Sequence, residues 1–196
     1  MSGVPIKVLG LNGVGTDGAT TTDVMLEALR AYGYTCIDAN YRKTHLGTLK
    51  TYDRSRQYAD ASYVGNLYWE PDCAAVCHSR GCLVAWRMLE LGYRFRALFL
   101  FRPAMNRDFA LPLGQRNVVV IHRPDDRAIK WGSRLPWNDF GGGGRFGLDD
   151  PGVENIEAPA YERSEFWRHS DDFFEPQVLE WSALIDDRLR ETMSNG

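Results

Sequence analysis

With 196 residues the chain has the length of one domain, 1–196, built on a single sizeable core. Its 23 Lys and Arg against 26 Asp and Glu give a net charge of −3, which argues against general nucleic-acid affinity. No apolar run is long enough to cross a bilayer, and the N-terminus lacks the charged head and long apolar segment of a secretory signal; a cytoplasmic location is expected, with release by another route left open.

Strand and helix patterns alternate along the chain. Residues 6–11 are an apolar strand candidate. Residues 22–32 are predicted as an amphipathic helix with Val24, Leu26, Ala28 and Leu29 on its apolar side, stopped by Gly33. A second strand is expected over 34–38, and a polar, aromatic, exposed helix over 50–63. Residues 72–76 read as a buried strand, and 82–89 as a helix. Residues 96–101 and 117–121 are short, continuous, β-rich runs, as strands covered on both faces require. The glycine run Gly141–Gly144 is read as a flap over a site or as a flexible surface loop. A weak strand is expected near 153–156. The last helix starts near Pro176, with Val178, Trp181, Leu184, Ile185 and Leu189 at helical spacing. This alternation predicts an α/β fold: a doubly wound, mostly parallel sheet of about five to six strands with helices on both faces. In such sheets ligands sit at the carboxyl ends of the strands.

The four cysteines, Cys36, Cys73, Cys77 and Cys82, show no paired Cys-x-x-Cys spacing, so a zinc site is not expected and they read as buried free thiols.

The most informative stretch is Cys77-His78-Ser79-Arg80-Gly81, between the buried strand and the helix. A serine on so tight a turn needs small residues two places to either side, which Cys77 and Gly81 supply, and its Oγ is lifted clear of the sheet. In this setting the stretch resembles the nucleophile elbow of the α/β-hydrolase superfamily, whose Gly-x-Ser-x-Gly here has Cys77 at the first place. The resemblance implies a minimal α/β-hydrolase fold and a chain order of Ser, acid, His for the catalytic residues. After the strand ending near Ile121, the family's pattern matches Asp126 better than Asp125; the bland reading is that both cap the following helix. In the late loop before the final helix, His169 matches the family's histidine. His45 comes too early, His78 is read as pointing away from Ser79, and His122 resembles a structural histidine of the family. For the oxyanion hole the resemblance implies the N–H groups of Arg80 and of Val14, the latter in a loop after the first strand where Asn12 replaces the family's histidine. The implied enzyme is a compact, cap-less serine carboxylic-ester hydrolase, similar to small bacterial or phage-encoded esterase-, lipase- or cutinase-like proteins. It would work through an acyl-enzyme without metal or cofactor, on a small or envelope-polymer ester.

Two other readings stand beside it. Gly13-Val14-Gly15-Thr16-Asp17-Gly18 is a literal Gly-x-Gly-x-x-Gly after a strand, with Asp38 about twenty residues on, as an NAD- or NADP-binding fingerprint requires. A non-catalytic binding protein of hydrolase fold is the other. Arg80, Arg102 and Arg123 all fall at the carboxyl ends of predicted strands. Arg102 and Arg123 are read as substrate-binding residues of a positive mouth that takes an anionic ester, or else as partners of Asp125, Asp126, Asp171 and Asp172 in salt bridges. Trp131 and Trp167 are expected as walls of an open site. Oligomeric state is not legible.

Overall fold

The computed structural model describes residues 6–13, 21–41, 53–134, 140–161 and 169–194. Six strands run β1 (Lys7–Leu11), β2 (Thr35–Asp38), β3 (Ala74–His78), β4 (Leu98–Phe101), β5 (Val118–His122) and β6 (Val153–Glu157). Between and after them lie α1 (Thr21–Ala31), α2 (Arg54–Leu67), α3 (Arg80–Glu90), α4 (Arg127–Gly132), α5 (Gly143–Phe146) and α6 (Gln177–Ser194). The sheet order is β2-β1-β3-β4-β5-β6, and every neighbouring pair is parallel. The expected α/β sheet is therefore present, with all six strands parallel.

Successive side chains on a strand point to opposite faces, and that alternation splits the apolar residues into two layers. Leu9, Leu11, Ala75, Cys77, Leu98, Leu100, Val118 and Val120 pack against α2 and α3. Val8, Ala74, Val76, Phe99, Phe101, Val119 and Ile121 pack against Met25, Leu26 and Leu29 of α1 and Val178, Trp181, Ile185 and Leu189 of α6. Strands covered on both faces need no polar side, which is why their sequences read as unbroken apolar runs. Edge strand β6 has only its Val153 and Ile156 partly buried, which accounts for its weak signal. No helix among the described residues is long and apolar enough to cross a membrane.

The chain leaves β1 toward β2 and returns to β3 on the other side of β1, so the direction of winding reverses between β1 and β3. The crevice at this reversal, outside the carboxyl ends of those strands, is the ligand position of open α/β sheets. The order differs from the 3-2-1-4-5-6 arrangement of the dinucleotide-binding fold, and Asp38 receives a hydrogen bond from Asn12 Nδ2 at 3.2 Å. Residues 14–18 of the glycine fingerprint lie outside the described residues.

The glycine run corrects both of its expected readings. Residues 143–146 form the short α5, and their neighbourhood is filled. A Cβ on Gly143 would lie 2.8 Å from Met105 O, and one on Gly144 2.8 Å from the carbonyl carbon of Arg102. Glycine is there because backbone packs on backbone, so the run is a buried turn and not a flap or an open loop.

Gly81 is under the tightest constraint. A Cβ there would sit 2.0 Å from the backbone oxygen of Leu11, since α3 begins directly against the end of β1. The overlap involves main chain, which cannot swing aside. Gly81→Ala should lower stability by about 3 kcal/mol; urea unfolding of the two proteins measures it.

Candidate active site

β3 ends at His78, and the chain must then turn into α3 within one residue. Ser79 makes that turn at φ 55°, ψ −118°, a left-handed conformation that a side chain adopts only under constraint. Three backbone hydrogen bonds supply the constraint. Ser79 N–H donates to Phe101 O at 3.0 Å, and Ser79 O accepts from Cys82 N at 3.1 Å and Ala104 N at 3.2 Å. The loop after β1 passes so close that a Cβ on Gly13 would lie 2.9 Å from Ser79 Cβ and 3.4 Å from its Oγ. The glycine at this place admits the serine side chain. Arg80 opens α3, so its N–H belongs to the helix start, where backbone donors and the positive end of the helix dipole favour negative charge.

Asp126 follows β5 and fills two roles at once. Its Oδ1 accepts from Ile129 N at 2.9 Å, capping α4, and its Oδ2 meets His169 Nδ1 at 2.7 Å. The helix cap and the acid that faces a histidine are the same fully buried residue. A carboxylate there holds the neutral imidazole with its proton on Nδ1 and its basic lone pair on Nε2. Asp125 turns instead to Arg123, 2.5 Å away.

His169 lies beside the end of β3. Its backbone oxygen is 3.0 Å from His78 Nε2, and the two imidazole rings are 4.7 Å apart between centroids. Burial, the nearby His169 and the positive Arg102 hold His78 well below the ordinary imidazole value, so it stays neutral. His122, half-buried with Nδ1 3.2 Å from Arg145 O, is also held low, chiefly by burial.

The positive mouth expected from Arg80, Arg102 and Arg123 does not form. Arg102, fully buried, grips the fully buried Asp172 through two hydrogen bonds, Nε–Oδ2 at 2.6 Å and Nη2–Oδ1 at 2.9 Å. Arg123 pairs with Asp125 and, at 3.1 Å, with the buried Asp171, and lies over the Tyr161 ring. The buried Arg80 turns under the site to Asp60 of α2. An unpaired guanidinium is too costly to bury, so each arginine of these strand ends takes a carboxylate from another segment. Arg102 and Arg123 thus hold the segment that carries His169 and do not present charge to a ligand.

The loop after β1 is supported in the same way. Asn12 Oδ1 accepts from Thr21 Oγ1 at 2.9 Å and Thr22 N at 3.1 Å, and the Tyr41 hydroxyl donates to Asn12 O. Val14 and Trp167 lie outside the described residues. Trp131, on α4, is 60% exposed and stacks with Arg134. Sequence reasoning missed Tyr41, Asp60, Tyr161 and the packing of His78; none carries a local signal, because each acts on a distant segment.

No protein-family model and no curated protein sequence matches the chain. Solved structures do resemble it. Alpha/beta hydrolase domain-containing protein 10 from mouse matches with a TM-score of 0.63 at 12% identity, over 97% of this chain and 92% of its own. An esterase of Pyrococcus furiosus matches with a TM-score of 0.60 at 14% identity, over 96% and 83%. A lid-less α/β serine hydrolase of Xanthomonas campestris matches with a TM-score of 0.55 at 16% identity, over 95% and 82%. At these identities the likeness is one of fold: the chain adopts the α/β-hydrolase fold.

Two predictions follow from the buried charges and rings. Arg102→Met leaves Asp172 without its counter-ion and should cost about 3–5 kcal/mol, much of it regained in the double variant with Asp172→Leu; denaturant unfolding of the set is the check. Between about pH 7.5 and 5.5 the unfolded chain takes up protons on His78 and His122 that the folded chain refuses, so stability should fall on acidification. Thermal melts across that range should show a shallower fall for His78→Gln.

Proposed function

We propose that this α/β-hydrolase fold works as a serine hydrolase that cleaves carboxylic esters through an acyl-enzyme, with Ser79, His169 and Asp126 as its catalytic residues. The observation that carries the reading is the 2.7 Å contact of the buried Asp126 with His169, whose ring packs on His78, the residue before the strained turn of Ser79. A hydroxyl is a weak nucleophile until a base removes its proton, and the base needs an acid to hold its tautomer. His169 Nε2 takes the Ser79 proton as Oγ attacks the ester carbonyl carbon. The imidazolium that forms is stabilised by the Asp126 carboxylate, which keeps its charge. The N–H groups of Arg80 and Val14 receive the negative charge that develops on the carbonyl oxygen. Collapse of the tetrahedral species breaks the bond to the alcohol oxygen, which leaves with the proton from His169. Water then repeats the cycle on the acyl-serine, giving the acid and restoring the hydroxyl.

An ester is preferred as substrate because one of the similar structures is named an esterase. Arg80, Arg102 and Arg123 are committed to internal carboxylates, so these three side chains do not supply the preference for anionic esters expected from the sequence. Small carboxylic esters and polymer esters of a cell envelope are the candidate substrates.

A fluorophosphonate probe should label Ser79, and a panel of esters varied in acyl length and charge should be hydrolysed, neutral and anionic members alike. Ser79→Ala should lose labelling and activity while melting like the parent, and Asp126→Asn should lose activity by roughly 10³-fold or more. An unlabelled parent, or a Ser79→Ala protein as active as the parent, overturns the reading.

A further inference from the structure

His78 is a buried imidazole for which the proposed reaction has no direct use. It closes β3, one residue before the nucleophile, and projects to the sheet face covered by α1 and α6. There it ends a column of rings. Trp181 of α6 meets Phe101 at 5.9 Å, Phe101 meets Phe173 at 5.1 Å, Phe173 meets His78 at 5.0 Å, and His78 meets His169 at 4.7 Å. The column connects the packed centre of the domain to the ring that would carry the proton.

The hydrogen bonds fix the protonation of His78. A carbonyl oxygen only accepts, so the 3.0 Å contact with His169 O requires the proton on Nε2 of His78. Nδ1 then holds a lone pair, and it meets no hydrogen-bonding partner among the described residues although His78 is only 3% exposed. A buried acceptor left unpaired carries its full desolvation penalty, which an apolar side chain of similar volume would avoid. The chain keeps the imidazole, and what it gains is the donor to His169.

We propose that His78 is a positioning residue for the acyl transfer: its Nε2–H holds the backbone carbonyl of His169 and so sets where the His169 ring stands over the Ser79 turn. This rests on the serine-hydrolase reading. Asp126 fixes the ring at Nδ1 and His78 fixes the backbone that bears it, so the imidazole is held from two sides. His78 is faced by His169, the Arg102 guanidinium already paired with Asp172, and the ring of Phe173, with Phe101 its register partner on β4. In this setting His78 remains uncharged, so it adds no charge of its own beside the imidazolium that forms on His169 during turnover.

The test compares His78→Gln, whose amide keeps a donor at the reach of Nε2, with His78→Leu, which removes it. A misplacement of about 1 Å costs on the order of 10²-fold in rate. His78→Leu should therefore lose about 10- to 100-fold in kcat with KM within about twofold of the parent, and His78→Gln should recover most of the loss. The low-field proton resonance of His169 Nδ1–H should move or broaden in His78→Leu and persist in His78→Gln. Equal kcat, pH profile and resonance in the parent and His78→Leu, or equal losses in both variants, overturn the proposal. If His78→Leu does not fold, His78→Asn, whose amide stops short of the carbonyl, takes its place under the same criteria. A parent that hydrolyses esters and labels at Ser79 while the variants show no donor dependence sinks the His78 role alone. A parent that neither labels nor hydrolyses sinks both.

Discussion

The site depends on one close approach, that of the start of α3 to the end of β1. Because Gly81 lies against the Leu11 carbonyl, the chain has a single residue in which to turn from strand to helix, and that residue is Ser79. The left-handed backbone of Ser79 is the geometric result. Strain of this kind persists only where surrounding hydrogen bonds over-determine it, and here Phe101, Cys82 and Ala104 provide them. The same approach brings the loop after β1 to the serine side chain, with Gly13 as the contact point. The strained serine therefore stands at the carboxyl end of β3, where the winding reverses between β1 and β3.

The second layer of organisation is electrostatic. Three buried arginines at the carboxyl ends of β3, β4 and near β5 are each matched by a carboxylate from another part of the chain. Such pairs add little net stability, because taking both charges out of water costs about as much as their attraction returns. What they add is position. Asp171 and Asp172 are the second and third residues after His169, and their attachment to Arg123 and Arg102 locks that segment to the sheet. Tyr161 joins the cluster through its hydroxyl on Asp172 and its ring against Arg123.

The comparison of sequence with structure turns on where the deciding information lies. The alternation of apolar residues on the strands, the helical spacing of Trp181, Ile185 and Leu189, and the small residues around Ser79 are local patterns, and each element they mark is found within a few residues of its expected place. The final helix and the β3–α3 turn were legible for that reason. The glycine run was not, because a glycine required by a neighbour's backbone looks the same in sequence as a glycine in an open loop. The arginines were legible as a group at the strand ends but not in their role, since a cation looks the same in sequence whether it meets a ligand or a carboxylate. Asp125 and Asp126 differ only in which way each side chain turns once β5 has ended.

Sequence by itself determined the layered sheet, its two apolar faces and the serine at its turn, because hydrophobic periodicity and steric demand are written over a few neighbouring residues. Tertiary structure alone decided which charges neutralise one another and which histidine stands beside which acid. Asp126 and His169 are 43 positions apart, and Arg102 and Asp172 are 70 apart. Contacts over such separations are chosen by how the sheet winds and by the cost of burying an unmatched charge, and neither is a property of any local stretch of chain.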